Sequence, residues 1–287
     1  MADPQRVMVT GGSGRVGRWV IRCLLDRGHN VVNLDRLPGD DSRAQFVKGD
    51  VRQRAIIEPL LRDCDAVCHL AEIPSAGAPF TNDEIYWNNT RSASVLMQTA
   101  ADLRLRHVVY ASSCQVYGSW GGNGVAPLRL PIDESCLISP RNVYAVSKVA
   151  NELFSQNLSE RQNLGISIFR CPWVVATEDD ERRLARLWID EGPVGGELAT
   201  FIHGRDLALA FAAALETPRA GCEVYNLSAA EVASIAPLRQ RLERHHPDFP
   251  PLPLDWPDRK SPIVIEKAEK FLGWRPQWSV WRYLLFA

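Results

Sequence analysis

Short, wholly apolar runs alternate along the first two-thirds of the chain with longer stretches in which apolar residues recur every three to four positions. Val7–Thr10 precedes a helical pattern from about Gly14 to Arg27, and Val31–Asp35 follows it. Ala66–Leu70 and His107–Ala111 each come after a helical stretch, and Ser167–Arg170 comes after a helix beginning near Tyr144. Several of the runs (VMV, AVCHL, HVVYA, ISIF) show no alternation of inward and outward residues, the pattern of strands buried on both faces. Strand–helix–strand succession predicts a parallel sheet with right-handed crossovers and helices on both faces. The expected fold class is α/β, a doubly wound parallel sheet.

The end of the chain reads differently. Residues 247–262 hold six prolines, which forbid a regular helix, and short helical patterns at Ala236–His245 and Ile265–Leu272 flank them. The expected organisation is a nucleotide-binding domain over 1–176, rejoined by about 198–228. A small substrate lobe is expected from 177–197 and 229–287. Residues 118–124 (GSWGGNG) have the composition of a flexible loop.

Composition narrows the function classes. The 287 residues are 46% hydrophobic and 23% charged, close to ordinary globular proteins, which excludes a disordered chain, a collagen and a coiled coil. With 33 Lys+Arg against 34 Asp+Glu the formal charge is −1, so no global field draws in nucleic acid or an anionic membrane. Leu207–Leu215, the longest apolar stretch, is far short of the ~20 residues a bilayer span needs. The N-terminus carries Asp3 and no apolar leader segment, and the seven cysteines are scattered without a CxxC pair. The expectation is a cytoplasmic protein in a reducing compartment.

Val7–Thr10 runs into Gly11-Gly12-Ser13-Gly14-Arg15-Val16-Gly17 and then into a helix. Glycines there permit a tight turn and close approach of a pyrophosphate, while the helix N-terminus offers N–H groups to phosphate oxygens. Asp35, about twenty residues on at the end of the second strand, is where a carboxylate accepts both hydroxyls of an adenosine ribose. It would repel a 2′-phosphate, which favours NAD over NADP; Arg36 beside it is the one feature on the NADP side. The alternative for such a turn, taken alone, is an ordinary strand–helix connection.

Tyr144 and Lys148, four residues apart on a helix, share a face. A neighbouring ammonium favours the phenolate and makes Tyr144 a candidate proton acceptor from a hydroxyl. The pair lies downstream of Ser112-Ser113, which end the strand His107–Ala111, and parallel sheets bind ligands beyond the carboxyl ends of their strands. Read by itself, the spacing also fits a surface pair.

These residues, with GDV (49–51), HLA (69–71), YASSCQVYG (110–118), YAVSK (144–148), FIHGRDLA (201–208) and EKFLGWRP (269–276), resemble the short-chain dehydrogenase/reductase superfamily. The resemblance is to its extended branch of NAD-dependent sugar epimerases, dehydratases and dehydrogenases, and it implies a Rossmann-type fold. It implies that Gly11, Gly14 and Gly17, with Arg15 and Val16 between them, form the phosphate turn, and that Asp35 holds the ribose. It places Asp50 and Val51 at the adenine, Leu70 and Ala71 along the cofactor groove, and Asn89 in the helix before the serine strand. Ser113, Tyr144 and Lys148 become the catalytic set, with Tyr144 and Lys148 also meeting the cofactor. The implied substrate is a sugar or nucleotide sugar, and the implied assembly a homodimer through the helices around Ser92–Leu103 and Tyr144–Ser159.

The departures are informative. Family dehydratases carry an Asp-Glu pair directly after the catalytic Ser/Thr; here Cys114-Gln115 stands instead, against elimination chemistry. After Arg170 the usual Asn-x-Tyr-Gly-Pro run is replaced by Trp173-Val174-Val175-Ala176-Thr177, and the stretch from there to His203 is short. A trimmed lobe suits a smaller substrate, so a dehydrogenase of a free sugar acid, as in uronate dehydrogenases, stands as an alternative. A non-catalytic NAD-binding sensor is the rival from another class. Trp173 is expected to line the substrate side and Arg259 to face a substrate anion, against the alternative of a solvated charge for Arg259. No metal site is expected: Glu178–Glu181 reads as the first turn of a helix capped by Thr177, and the histidines do not gather at ligand spacing. Trp274, Trp278 and Trp281 read as packing for the C-terminal tail.

Overall fold

The computed structural model describes residues 3–74, 79–118, 126–189 and 198–280. Nine strands and eight α-helices are assigned there. The strands are β1 (Arg6–Thr10), β2 (Asn30–Asp35), β3 (Gln45–Lys48), β4 (Ala66–His69), β5 (His107–Ser113), β6 (Gly165–Cys171), β7 (Trp173–Val175), β8 (Phe201–His203) and β9 (Cys222–Asn226). The helices are α1 (Gly17–Asp26), α2 (Arg54–Arg62), α3 (Asn82–Asp102), α4 (Val143–Gln162), α5 (Glu178–Ile189), α6 (Gly204–Glu216), α7 (Leu238–His245) and α8 (Glu266–Leu272). No helix among the described residues is long and apolar enough to cross a membrane.

Seven strands form one sheet in the order β3-β2-β1-β4-β5-β6-β9, and β7 pairs with β8 in a second, two-stranded sheet. The pairs β3·β2, β2·β1, β1·β4 and β4·β5 are all parallel, with Val9 of β1 opposite Asn33 on one side and Cys68 on the other. This is the expected doubly wound α/β arrangement. Its strand order reverses between β1 and β4, so the crevice for a ligand opens beyond the carboxyl ends of those two strands. The chain that follows them there is Gly11-Gly12 and Leu70-Ala71.

The apolar runs behave as their composition demands. Val7, Met8 and Val9 are fully buried, as are Val67, Cys68, Val108, Val109, Ile166 and Ile168. One continuous core joins Met8, Val67, Val108 and Ile168 to Ile57 and Leu61 of α2, Leu96 and Met97 of α3 and Leu158 of α4. Each such side chain contributes on the order of 1.5–3 kcal/mol by leaving water. Two helix starts matter for the site. Thr81 and Glu84 make a reciprocal capping box at the start of α3, with Glu84 N donating to Thr81 Oγ1 at 3.2 Å and Thr81 N to the Glu84 carboxylate at 2.7 Å. Asn142 Oδ1 accepts from Ala145 N at 2.8 Å, which fixes where α4 begins and puts Tyr144 in its first turn.

By internal contacts the chain groups into two units: residues 1–112, 142–169 and 208–224, and residues 113–141, 170–207 and 225–287. Residues 113–141 and 170–176, expected with the nucleotide-binding part, group here with the second unit, as do 198–207 and 225–228. The second unit has its own small core, in which Val175, Leu184, Phe201, Ala229, Ala233 and Val280 pack with Trp173 and Trp278. Two motifs far apart in sequence meet within it: Asp206 Oδ2 accepts from Gln277 N and Trp278 N at 3.0 and 2.9 Å, and Trp274 Nε1 donates to Asp206 O at 2.8 Å. Trp278 also stacks on His203 at 4.7 Å, in keeping with a packing role for Trp274 and Trp278; Trp281 lies outside the described residues. So does most of the expected flexible loop, residues 119–124.

Candidate active site

The glycine-rich turn leaves backbone where side chains would otherwise stand. Gly11 has φ +70, and a Cβ there would lie 2.8 Å from Ala71 Cα; a Cβ on Gly17 would lie 2.2 Å from Gly11 O. The first position needs a conformation that L side chains rarely adopt, and the second needs helix α1 pressed against the turn. Gly14 N donates to Gly11 O at 3.1 Å, closing the turn, and Arg15 is exposed on it. Val16 caps α1 with no side-chain acceptor, and the first turn of α1 holds no acidic residue, so its N–H groups suit an external anion. Asp35 sits at the rim: its Oδ2 accepts from Ser13 N at 3.0 Å and its Oδ1 from Arg36 N at 2.6 Å. Cradle, helix end and rim carboxylate fit a dinucleotide.

The neighbouring residues take up distinct places. Leu70 N donates to Thr10 O at 3.1 Å, joining the chain after β4 to the end of β1, and Ala71 faces Gly11. Val51 is buried. The Asp50 carboxylate is gripped by Arg52, whose Nε lies 2.9 Å from Oδ1, and this hydrogen-bonded guanidinium holds Asp50 below the usual carboxylate range. Asn89 is fully buried and straps the backbone of Ile73, accepting from its N–H at 2.8 Å and donating to its carbonyl at 3.1 Å. Asn88 donates to Asn89 Oδ1 at 3.0 Å.

Tyr144 and Lys148 are both buried, and the Lys148 ammonium lies 5.3 Å from the centre of the Tyr144 ring. A surface pair is thereby excluded. Lys148 Nζ donates to Ala111 O of β5 at 2.6 Å and lies 5.0 Å from the ring centre of Tyr110. It also forms an ion pair with Glu72, a residue with no place in the sequence reading. Tyr110 OH donates to Glu72 Oε1 at 3.0 Å and Asn151 Nδ2 to the same oxygen at 2.8 Å. Burial raises the Glu72 carboxyl above its ordinary value despite these donors. Burial would also strip Lys148 of its proton, but Glu72, Tyr110 and Tyr144 together outweigh it and hold the ammonium well above its ordinary value. His69, whose Nε2 is 3.8 Å from Glu72, is driven down to about 3 by burial and by Lys148, and is therefore neutral. The one sequence signal for Glu72 is a carboxylate two residues beyond the strand-like run Ala66–Leu70.

Ser113 ends β5, and its Oγ accepts from Gln115 N at 3.2 Å at the start of a short 3-10 turn, Cys114–Tyr117. Cys114 is fully buried and its thiol donates to Arg170 O at 3.4 Å. In the second unit, Trp173 packs on the small core and carries the Arg183 guanidinium over its ring at 4.9 Å. Arg259 lines a recess of about 630 Å³ together with Glu231, Pro237, Asp258, Lys260 and Trp278. Glu178–Glu181 form the first turn of α5, where Thr177 Oγ1 accepts from Asp180 N at 3.2 Å.

An open parallel sheet with a glycine-lined turn at its switch point is the architecture of a dinucleotide-binding α/β protein, and a buried tyrosine–lysine pair lies on a following helix. Residues 7–228 match the NAD dependent epimerase/dehydratase family, and the chain belongs to that family. It is 31% identical to UDP-glucose 4-epimerase of Streptomyces lividans over 50% of this chain and 45% of that one. It is 24% identical to UDP-glucose 4-epimerase of Corynebacterium glutamicum over 95% and 91%. Three of the curated relatives are matched over only 45% to 60% of their own length. Among solved structures, UDP-glucose 4-epimerase from Bifidobacterium longum, in complex with NAD+ and UDP, shares the fold. Its TM-score is 0.72 at 23% identity, over 96% of this chain and 94% of that one.

Proposed function

We propose that this protein is an NAD-dependent oxidoreductase or epimerase acting at a hydroxyl-bearing carbon of a sugar or nucleotide sugar, with Tyr144 as the acid/base. The observation that carries the reading is the buried Lys148 ammonium 5.3 Å from the Tyr144 ring centre. A cation so close and so poorly solvated favours the phenolate, which lets Tyr144 take the substrate's hydroxyl proton near neutral pH. Ser113, ending β5, would hold the oxygen from which that proton leaves. Gly11, Gly14, Gly17 and the start of α1 would hold the pyrophosphate, Asp35 the adenosine ribose, and Asp50 and Val51 the adenine. Leu70, Ala71 and Asn89 would shape the groove. When bound, NAD supplies a hydride acceptor and donor. The carboxylate at the rim supports NAD over NADP, and the UDP-glucose 4-epimerases among the relatives support a nucleotide-sugar substrate.

The second reading, a dehydrogenase of a small free sugar acid, is favoured by the short span from Thr177 to His203. Elimination chemistry is disfavoured, since Cys114 is buried against the Arg170 carbonyl and Gln115 has no ionisable group to act as acid or base. A non-catalytic sensor would have no use for the buried Tyr144–Lys148 pair. Trp173 and Arg259 are the candidates for substrate contact, and the helices α3 and α4 for a homodimer. The test is incubation with NAD+ and a panel of nucleotide sugars and free sugar acids. Nicotinamide reduction reports a dehydrogenase and NMR of the sugar an epimerase. Tyr144→Phe should slow the active substrate by roughly 100-fold or more. Equal rates in both proteins would defeat the assignment of Tyr144.

A further inference from the structure

Lys148 is placed by a buried carboxylate. Its side chain is 5% exposed and that of Glu72 4%. Two of the three N–H groups of the ammonium are committed, to Glu72 Oε2 and to Ala111 O. Glu72 is itself held from three sides. Asn151 Nδ2 and Tyr110 OH donate to Oε1 at 2.8 and 3.0 Å, and Glu72 N donates to Leu70 O at 2.9 Å. Asn89 fastens the next residue, Ile73, through both of its backbone groups. Asn151 also donates to Asn89 O at 3.2 Å and to Tyr110 OH at 2.9 Å, so β5, α3 and α4 all brace one carboxylate. A buried charge held this rigidly needs a charged partner, and the partner here is the proposed lysine of the proton-transfer pair.

We propose that Glu72 is a positioning residue that keeps the buried Lys148 protonated and aimed, so that Tyr144 retains its cation. The inference deepens the reading of Tyr144 and Lys148 given above and rests on it. An ammonium at this depth loses its proton readily when no anion faces it. The titratable groups facing Lys148 are Glu72 after β4, His69 of β4, Tyr110 of β5 and Tyr144 of its own helix. Helix α3 presents Asn89, which carries no charge, and Glu152, one turn further along α4, is taken by Ser112 Oγ at 2.5 Å. His69 is neutral, and Tyr110, raised well above its ordinary value by burial, keeps its proton, so Glu72 supplies the anion.

The proposal orders the effects of substitution. In Glu72→Gln, Lys148 loses its proton at lower pH, and Tyr144 binds its own more tightly. The ascending limb of kcat/KM for hydroxyl oxidation then moves to higher pH by about one unit or more. Glu72→Asp, which keeps the charge, returns the limb towards the wild-type position. A limb that moves by less, or towards lower pH, overturns the proposal, since loss of packing alone would lower the rate without moving the limb. The second readout needs no turnover. NMR of protein carrying 13Cε-lysine, with Lys148 assigned from Lys148→Arg, follows the lysine directly. In the wild type Lys148 should release no proton below about pH 10, near the free lysine value. Release below that overturns the proposal even if Glu72→Gln does not fold. Should Tyr144→Phe retain full activity while Lys148 behaves as stated, the fault lies with the reading of Tyr144 and not with Glu72.

Discussion

Replacing Lys148 with Met removes a cation from beneath a carboxylate that is 4% exposed, while keeping a side chain of similar length. Glu72 retains the donors Tyr110 and Asn151 at 3.0 and 2.8 Å but loses its only counter-ion among the described residues. Breaking a buried pair from one side costs about 3–5 kcal/mol, and a chain of this size loses about 2 °C of Tm per kcal/mol. Lys148→Met should therefore melt about 6–10 °C below the wild type at pH 8. The loss must shrink in acid. Burial already raises the Glu72 carboxyl above its unfolded value, and without Lys148 it rises further. A group raised in the folded state contributes stability that is present below its unfolded value, about 4.3, and is lost as pH rises through the folded value. The penalty should thus be small near pH 4.5 and complete at pH 8. Lys148→Met combined with Glu72→Gln should recover most of it, because no unpaired charge then remains. Thermal melts of the three proteins across this range make the assay. A single variant melting within about 2 °C of the wild type at pH 8, or a penalty independent of pH, would refute the reasoning.

Two further expectations follow from other parts of the molecule. Gly17→Ala places a Cβ 2.2 Å from Gly11 O and 2.6 Å from Gly12 Cα, so the turn must open. Overpacking of this kind costs about 1–3 kcal/mol, and calorimetry should show NAD+ affinity falling at least about tenfold; unchanged affinity would mean the turn does not hold the nucleotide. Thr177→Ala removes the hydroxyl that accepts from Asp180 N at 3.2 Å, which should cost about 1 kcal/mol and lower Tm by about 2 °C without altering cofactor affinity. A change in affinity would mean that α5 is coupled to the cofactor site.

The legible parts of the fold were those where one residue type answers one local demand. Glycines at 11 and 17 mark a backbone that side chains would block, and the apolar runs of β1, β4, β5 and β6 mark strands covered on both faces. Tyr144 and Lys148 were legible because helical spacing alone brings them to one face. The edge strand β3 escaped notice because its residues are largely exposed and carry no apolar run. β7 and β8, three residues each, are too short for any period to show. Glu72 was illegible for a different reason: its partners Tyr110, Lys148 and Asn151 lie far along the chain, and only the packing of β5 and α4 brings them to it. Asp50 shows the converse, since the family resemblance implies an adenine contact while the fold adds a guanidinium, that of Arg52, two residues away.

The central claim is that the turn after β1 and the carboxylate of Asp35 hold NAD. Calorimetric titration of nucleotide-free protein with NAD+ and with NADP+ tests it most directly. The account predicts one NAD+ bound per chain, at least about tenfold tighter than NADP+, because the 2′-phosphate would meet the Asp35 carboxylate at the rim. Folded protein that binds neither nucleotide, or that prefers NADP+, would contradict it.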